Sequence, residues 1–543
     1  MANILRKTAA IVLALTILTG CTGPSLRIRM QEREGISTEQ TRPYSGVTNA
    51  DLVYTRPDLG ELEEKKQQVL SFAETGTVRQ TINALDDFYD VYDWFYTFYA
   101  LADIRYSADL TDPYWEEEYA FCMDAAPQVD AAMEELYYGL AASPLREKLE
   151  SSALFGPGFF DSYEGENLWD EGFLQLLEEE NALINRYYTL TGEALEEPYG
   201  SEAYYDRWGG ELAGLLVELI ALRKEQADYW GYDSYPEFAW DFTYDRDFTP
   251  AQALDCYAQI ARELVPLYRE TADSDVWNGA YRPTREEKTF AHVRTAAENM
   301  GGLVWDAFSL LEQGALYDIG WGANKYTASF SYYLTGYGVP FVFVTPSRER
   351  YDHLTFAHEF GHFCMDYVSG GSSAGIDVGE IFSQGMEYLS LIYGNGDDSL
   401  TKAKLADCLA TYVEQAAYGS FEQRMYDLEG DELSVEGLYR LYEEVAQQFG
   451  FDAIGYDCRE FVDVNHFYTN PLYVVSYVLS NDAALQLYQL EQEAEGSGAA
   501  LYQKHLSTQE PRFLAFLETA GLESPFAPGR MATVGKFLRH QLT

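Results

Sequence analysis

The chain has 543 residues, of which 47% are hydrophobic and 23% charged. This composition is typical of a globular protein with more than one packed core, and it argues against a disordered chain. The 88 acidic and 37 basic residues give a formal net charge of −51. A surface this acidic repels nucleic acid phosphates and anionic lipid headgroups, so neither is an expected partner.

The first 21 residues have the pattern of a bacterial lipoprotein signal peptide. Arg6 and Lys7 precede an apolar run, residues 9–19, that is too short to span a bilayer but long enough for a secretory signal core. The sequence Leu-Thr-Gly-Cys that ends at Cys21 resembles a lipobox, in which the cysteine is lipidated and becomes the first residue. We therefore expect an exported protein anchored through Cys21 to the outer face of a bacterial cell membrane. The alternative is a buried N-terminal helix.

Residues 22–50 are polar, carry scattered Gly and Pro and show no periodicity, which predicts a flexible tether. From residue 51 onward, apolar residues recur every three or four positions, which predicts helices. We divide this part into an N-terminal helical region, residues 51–200, and a catalytic region, residues 201–543. The five cysteines after Cys21 are scattered and odd in number, which argues against a disulfide framework.

One segment interrupts the helical pattern. Residues 325–347, KYTASFSYYLTGYGVPFVFVTPS, are rich in aromatic and β-branched residues on both sides of a Thr-Gly-Tyr-Gly turn, which predicts a β-hairpin. The sequence thus predicts a mainly α fold with one small β-sheet beside the histidine motif that follows. An exposed edge of that sheet would pair with an extended peptide, and an ordinary packed strand is the alternative.

The stretch LTFAHEFGHFCMDY contains the strongest chemical signal. On a helix, His358 and His362 project from one face about one turn apart, so both imidazoles can bind one metal ion. Glu359 lies beside them, close enough to take a proton from a water molecule that the metal has made acidic. This HExxH pattern is typical of zinc peptidases and requires a third protein ligand.

The segment IDVGEIFSQGMEYLSLIYG, residues 376–394, supplies candidates for that ligand. Glu380, Gln384 and Glu387 share one helical stripe flanked by apolar residues. Two carboxylates on an apolar face are costly unless a positive group lies opposite, and a metal ion bound by the two histidines would be that group. A solvated charged face is the alternative, and the spacing leaves both glutamates open as the ligand.

HEFGH followed by D-x-x-E-x-x-S-Q-x-x-E resembles the zinc oligopeptidases of the thimet oligopeptidase and oligoendopeptidase F family. The resemblance implies one Zn²⁺ per chain, held by His358, His362 and Glu380. It also implies that Glu387 is a supporting residue that orients a ligand histidine. The loop between the two motifs is shorter than is usual in the family, so Glu387 remains the alternative third ligand. The implied fold has two helical halves around a deep substrate channel.

The resemblance continues in HFYTNPLYVVSYVLSNDAALQLY, residues 466–488. In the family, a histidine and several tyrosines in this region donate hydrogen bonds to the substrate carbonyl as it becomes an oxyanion. The resemblance implies this role for His466 and Tyr477, and next for Tyr473, although Pro471 interrupts the usual spacing.

These observations predict a zinc-dependent oligoendopeptidase, a monomer, that hydrolyses internal bonds of short unstructured peptides and contacts the membrane only through the lipid on Cys21. Glu359 is the expected general base. Two alternatives remain, a zinc carboxypeptidase on a related helical fold and a non-catalytic peptide-binding lipoprotein.

Overall fold

The computed structural model describes residues 46–542 except residue 153, residues 164–170, residues 195–199, residue 273 and residues 372–373. The expected signal peptide and most of the tether lie outside the described residues. In the part of the chain that is described, no helix has both the length and the apolar character needed to cross a membrane.

The first four helices form a layer with its own hydrophobic core. They are α1 (Leu59–Thr75), α2 (Val78–Ala108), α3 (Pro113–Ala141) and α4 (Arg146–Glu150). Asp58 caps α1, Thr77 and Gln80 form a capping box at the start of α2, and Asp112 caps α3 before a proline in the first turn. The apolar faces of α1, α2 and α3 pack against one another. This core extends from Leu62 to Phe160.

A second, larger core joins most of the remaining described chain and also includes Ala100, Leu101 and Ile104 from the C-terminal part of α2. The helices before the sheet are α5 (Glu171–Ala194), α6 (Glu202–Tyr204), α7 (Gly210–Tyr229), α8 (Tyr235–Phe238), α9 (Pro250–Glu263), α10 (Val265–Thr271), α11 (Glu286–Met300) and α12 (Gly302–Gly314). Those after it are α13 (Asp352–Ser369), α14 (Ile376–Tyr393), α15 (Asp398–Met425), α16 (Val435–Gln448), α17 (His466–Thr469), α18 (Val475–Glu493), α19 (Ser497–His505), α20 (Phe513–Ala520) and α21 (Arg530–Leu542). Helix α5 packs against α7 within this second core. The boundary at residue 200 stays a prediction.

The sheet has three strands, β1 (Tyr317–Ile319), β2 (Phe330–Leu334) and β3 (Val339–Val344), in the order β1-β3-β2. Strands β2 and β3 are antiparallel, with Phe330 opposite Phe343, so the predicted hairpin is confirmed. Strand β1, which is parallel to β3, was not predicted because three residues are too few for a recognisable alternation. The sheet packs against α13, so the expected mainly α fold with a small sheet beside the histidine helix is confirmed.

The first helical layer reaches the rest of the molecule at the hairpin. Asp103 on α2 accepts a hydrogen bond of 2.5 Å from the hydroxyl of Tyr332 on β2. The backbone N–H of Gly336 in the turn donates to Thr97 Oγ1 at 2.8 Å. Trp94 on α2 makes an edge-to-face contact with Tyr337, with ring centroids 5.0 Å apart. These contacts fix the hairpin against α2.

Candidate active site

Two histidines and one glutamate from two crossing helices form a compact cluster. His358 and His362 lie one turn apart on α13, and Glu380 lies near the N-terminal end of α14. Glu380 Oε2 is 3.4 Å from Nε2 of His358 and 3.8 Å from Nε2 of His362. One ligand atom from each residue lies within 4.8 Å of the other two. The structure therefore brings together the three residues that the resemblance implies as ligands.

Gly361 explains why α13 and α14 approach so closely. A Cβ atom at this position would lie 2.5 Å from the carbonyl oxygen of Phe382 and 2.6 Å from Cα of Ser383, both on the backbone of α14. Real Cβ atoms essentially never come this close to backbone atoms. The absence of a side chain at residue 361 therefore allows the helix crossing that places Glu380 opposite the histidines.

The donor set fits a zinc ion. Zinc prefers tetrahedral sites of imidazole nitrogen and carboxylate oxygen at roughly 2.0–2.1 Å, which places neighbouring ligand atoms about 3.3 Å apart. The separations of 3.4 Å and 3.8 Å from Glu380 to the two imidazoles are close to that value. Three protein ligands would leave a fourth position of a tetrahedral site open, as catalytic zinc sites do.

Glu387 lies on the other side of His358 and does not join the cluster. Its Oε1 is 2.9 Å from Nδ1 of His358, and its Oε2 is 2.8 Å from Nζ of Lys404. Lys404 also forms an ion pair of 2.9 Å with Asp407. Burial would raise the pKa of Glu387, but the charge of Lys404 and the hydrogen bond to His358 lower it. An ionised Glu387 fixes the His358 ring so that Nε2 faces Glu380.

The two histidines have opposite pKa shifts in the metal-free protein. Burial opposes a charge on His358, but the hydrogen bond to Glu387 and the charge of Glu380 outweigh it and raise the pKa to about 9. Burial dominates at His362 and lowers its pKa to about 4. The negative surroundings that favour a proton on His358 also favour a divalent cation.

Glu359 is fully buried next to this cluster, and neither of its carboxylate oxygens has a hydrogen-bond partner among the described residues. Burial raises its pKa to about 8, although the nearby His358 lowers it. Buried carboxylates are nearly always hydrogen-bonded, so two unpaired oxygens indicate a group that is kept available for a small polar molecule.

His466, Tyr473 and Tyr477 form a triangle of rings on the other side of Glu380. The ring centroids are 5.1 to 5.9 Å apart. The Tyr473 hydroxyl donates to Glu380 Oε1 at 3.4 Å, and the Tyr477 hydroxyl lies 3.5 Å from His466 Nε2. Burial lowers the pKa of His466 to about 4, so the ring is neutral at physiological pH. Tyr468, in the same segment, points away and donates to a backbone carbonyl of α7.

The chain resembles known peptidases in the sequence of its N-terminal part and in its fold. Residues 50–167 match the family model of the peptidase M3 N-terminal domain. The structure of a protein named oligoendopeptidase F superposes with a TM-score of 0.76 at 20% sequence identity, covering 92% of this chain and 99% of the other. The chain has the M3 peptidase fold. The predicted family resemblance is confirmed at the level of this fold and of the N-terminal domain, and the lipoprotein form stays a prediction.

Two further structures share the M3 peptidase fold. PZ peptidase A, solved with an inhibitor, has a TM-score of 0.75 at 18% identity and covers 91% of this chain and 98% of its own. A second protein named oligoendopeptidase F, from Bacillus anthracis, has a TM-score of 0.74 at 20% identity, with 92% and 98% covered. A search of curated proteins found no match to the sequence.

Sequence reasoning missed three buried charged residues near the site of this M3 peptidase fold, Lys404, Arg246 and Glu422. Lys404 had a usable signal, because it lies midway between Leu400 and Cys408 at four-residue spacing on an apolar helical stripe. A lysine on such a stripe predicts a buried charge partner. Arg246 and Glu422 had no comparable signal, since their partners are distant in sequence.

Proposed function

We propose that the chain is a zinc-dependent oligoendopeptidase that hydrolyses internal bonds of short, unstructured peptides. The observation that carries the proposal is the His358–His362–Glu380 cluster beside Glu359, whose oxygens have no partner among the described residues. A structural zinc site would need no unpaired carboxylate, whereas hydrolysis of a peptide bond needs a base at this position.

His358, His362 and Glu380 would hold the ion, and Glu387 would orient His358. When bound, zinc supplies Lewis acidity and makes water acidic enough to lose a proton near neutral pH. Glu359 accepts that proton and passes it to the leaving amine as the peptide bond breaks. Glu359 suits both steps because it is buried beside the cluster and neither of its oxygens has a hydrogen-bond partner among the described residues.

Tyr473, Tyr477 and His466 would act on the substrate carbonyl. The Tyr473 hydroxyl reaches the Glu380 carboxylate, and the rings of Tyr477 and His466 pack against Tyr473. Hydroxyl groups held in a buried pocket donate hydrogen bonds to an oxygen that gains charge only in the transition state. Removing one such donor typically costs about 10²–10³ in kcat.

An extended peptide suits the neighbouring sheet. Strand β2 is an edge of the sheet, because the strand order is β1-β3-β2. A peptide that pairs with such an edge is held by its main chain, with little demand on side-chain identity. A channel between the helical halves would admit short flexible peptides and exclude folded proteins. Export and lipidation at Cys21 belong to the same proposal and rest on the sequence pattern alone.

The deciding experiment measures zinc content together with cleavage of an internally quenched peptide that is blocked at both ends. We expect one zinc per chain, internal cleavage, and loss of cleavage with a chelator. Cleavage only of unblocked peptides would favour the carboxypeptidase, and peptide binding without cleavage would favour the binding lipoprotein. Mass analysis of Cys21 tests the anchor.

Glu359→Gln isolates the general base. This variant is expected to keep zinc and fold but to lose nearly all turnover, because an amide cannot accept the proton. Glu414→Gln is the matched control, since Glu414 lies on α15, accepts a hydrogen bond of 2.8 Å from the Tyr268 hydroxyl and has no part in the proposed reaction. Full turnover of the Glu359→Gln variant would contradict the assigned role.

A further inference from the structure

Arg246 lies between α14, the helix that carries Glu380, and residues 471–477, which contain Tyr473 and Tyr477 and are called the tyrosine segment below. Neither the HExxH motif nor the tyrosine pattern includes this arginine. Its side chain is 1% exposed. We propose that Arg246 is a positioning residue that sets Tyr473 against the carboxylate of Glu380, an inference that rests on the proposed function.

The guanidinium group bridges the two elements directly. Its Nε and Nη2 donate to the two carboxylate oxygens of Asp377 at 3.0 Å and 3.3 Å, and Asp377 lies one turn before Glu380 on α14. Its Nη1 donates to the carbonyl oxygen of Leu472 at 2.9 Å, and Nη2 also reaches the hydroxyl of Ser476 at 3.2 Å. Ser476 in turn donates to Asp377. One planar group therefore fixes the residues on both sides of Tyr473 to the helix that carries Glu380.

The backbone of Leu472 has an unfavourable conformation that the surrounding contacts stabilise. Leu472 has φ +65°, a left-handed conformation that a leucine rarely adopts. Such a conformation persists only when the surroundings fix it on several sides. Here the Leu472 N–H donates to Glu422 Oε1 at 2.6 Å, and its carbonyl accepts from Arg246. The preceding carbonyl, of Pro471, accepts from the Tyr244 hydroxyl at 2.7 Å.

Aromatic rings fix the arginine itself. The Arg246 guanidinium carbon lies 4.0 Å from the ring centroid of Tyr244 and 4.5 Å from that of Trp240. Both distances are within the range of cation–π interaction. Both rings and Arg246 itself belong to the connection between α8 and α9, which is distinct from α14 and from the tyrosine segment. These ring contacts hold the guanidinium group from a third side, in addition to its hydrogen bonds to α14 and to the tyrosine segment.

Arg530 provides a matched control. It is also buried, and its Nε donates to both carboxylate oxygens of Asp482 at 3.0 Å and 3.1 Å. Asp482 lies on α18, the helix that carries Tyr477, but among the described residues the ion pairs of Arg530 are with Asp482 and Glu523, which lie outside the tyrosine segment. Loss of either arginine removes a buried arginine–aspartate pair, and only loss of Arg246 releases Tyr473.

The test compares Arg246→Met and Arg246→Lys with Arg530→Met in the zinc-loaded protein. For Arg246→Met we expect kcat to fall about 100-fold, as for a misplacement of roughly 1 Å, with KM changed less than about threefold and zinc content retained. Arg246→Lys should recover part of kcat, because a lysine keeps the charge beside Asp377 but cannot span to Leu472. Arg530→Met should lower thermal stability without lowering kcat of the folded enzyme.

A second measurement does not depend on activity. With 3-fluorotyrosine at position 473 in the metal-free protein, the fluorine resonance should shift or broaden in Arg246→Met and stay unchanged in Arg530→Met. An unchanged resonance in both variants, or equal kcat values for the two, would overturn the inference. A wild type without turnover would refute the proposed function, and the resonance would still decide whether Arg246 positions Tyr473.

Discussion

Gly361→Ala tests whether the close crossing of α13 and α14 is what creates the metal site. The added Cβ would lie 2.5 Å from the Phe382 carbonyl oxygen, whereas ordinary contacts begin at 3.4 Å. The helices must therefore separate by about 0.9 Å, unless the backbone distorts at similar cost. Glu380 lies one turn from the contact and moves with it. Metal–ligand distances tolerate only about ±0.2 Å, so the displacement is several times too large.

We expect the zinc dissociation constant to rise about 10- to 100-fold, which equals about 1.4–2.8 kcal/mol. The metal-free protein should lose about 1–3 kcal/mol of unfolding free energy from overpacking, partly offset by about 1 kcal/mol from the better helix propensity of alanine. Competition with a chromophoric chelator measures the first quantity, and denaturant unfolding measures the second. The two measurements separate damage to the site from damage to the fold.

Gly379→Ala is the control, because Gly379 lies next to Glu380 on α14 but a Cβ there would meet only Met365 Cε, at 3.8 Å. This variant should bind zinc as tightly as the wild type and gain a little stability. If Gly361→Ala binds zinc with wild-type affinity, the helix crossing does not determine the ligand geometry.

Two further predictions concern buried charge. Lys404→Met should cost about 3–5 kcal/mol in denaturant unfolding of the metal-free protein, because it removes the buried cation that pairs with both Glu387 and Asp407. Adding Glu387→Gln should recover part of this loss, and equal stabilities of the single and double variants would contradict the pairing. Burial raises the pKa of Glu422 to about 8, so its stabilising effect is complete below about pH 4.5 and is lost as the pH rises towards 8. Thermal unfolding at pH 5 and pH 9 should therefore show Glu422→Gln gaining stability over the wild type only at the higher pH, and a pH-independent difference would refute this.

Local sequence patterns were sufficient to predict the helices that carry the proposed ligands. The four-residue spacing of His358 and His362 and the stripe that contains Glu380 each lie within one helix, where periodicity reports directly on which side chains share a face. The hairpin was predictable for the same reason, since both strands and the turn are adjacent in sequence. The choice between Glu380 and Glu387 was not, because it depends on how α13 and α14 cross.

The supporting contacts depend on tertiary structure. Arg246 meets Asp377 across 131 residues and Leu472 across 226 residues, and no local pattern links positions that far apart. Strand β1 is too short to alternate and exists because β3 pairs with it. The left-handed conformation of Leu472 is also set by its neighbours, since leucine itself does not favour it. These features follow from packing, which sequence periodicity does not encode.

The first helical layer has a core of its own and meets the rest of the molecule at the hairpin and through the C-terminal part of α2, while every side chain assigned to bond cleavage lies between residues 358 and 477. The packing of the first layer and the chemistry of the site thus depend on different stretches of chain. Substitutions among the buried residues of α1, α2 and α3 can therefore change the stability of this layer without replacing any residue assigned to the reaction.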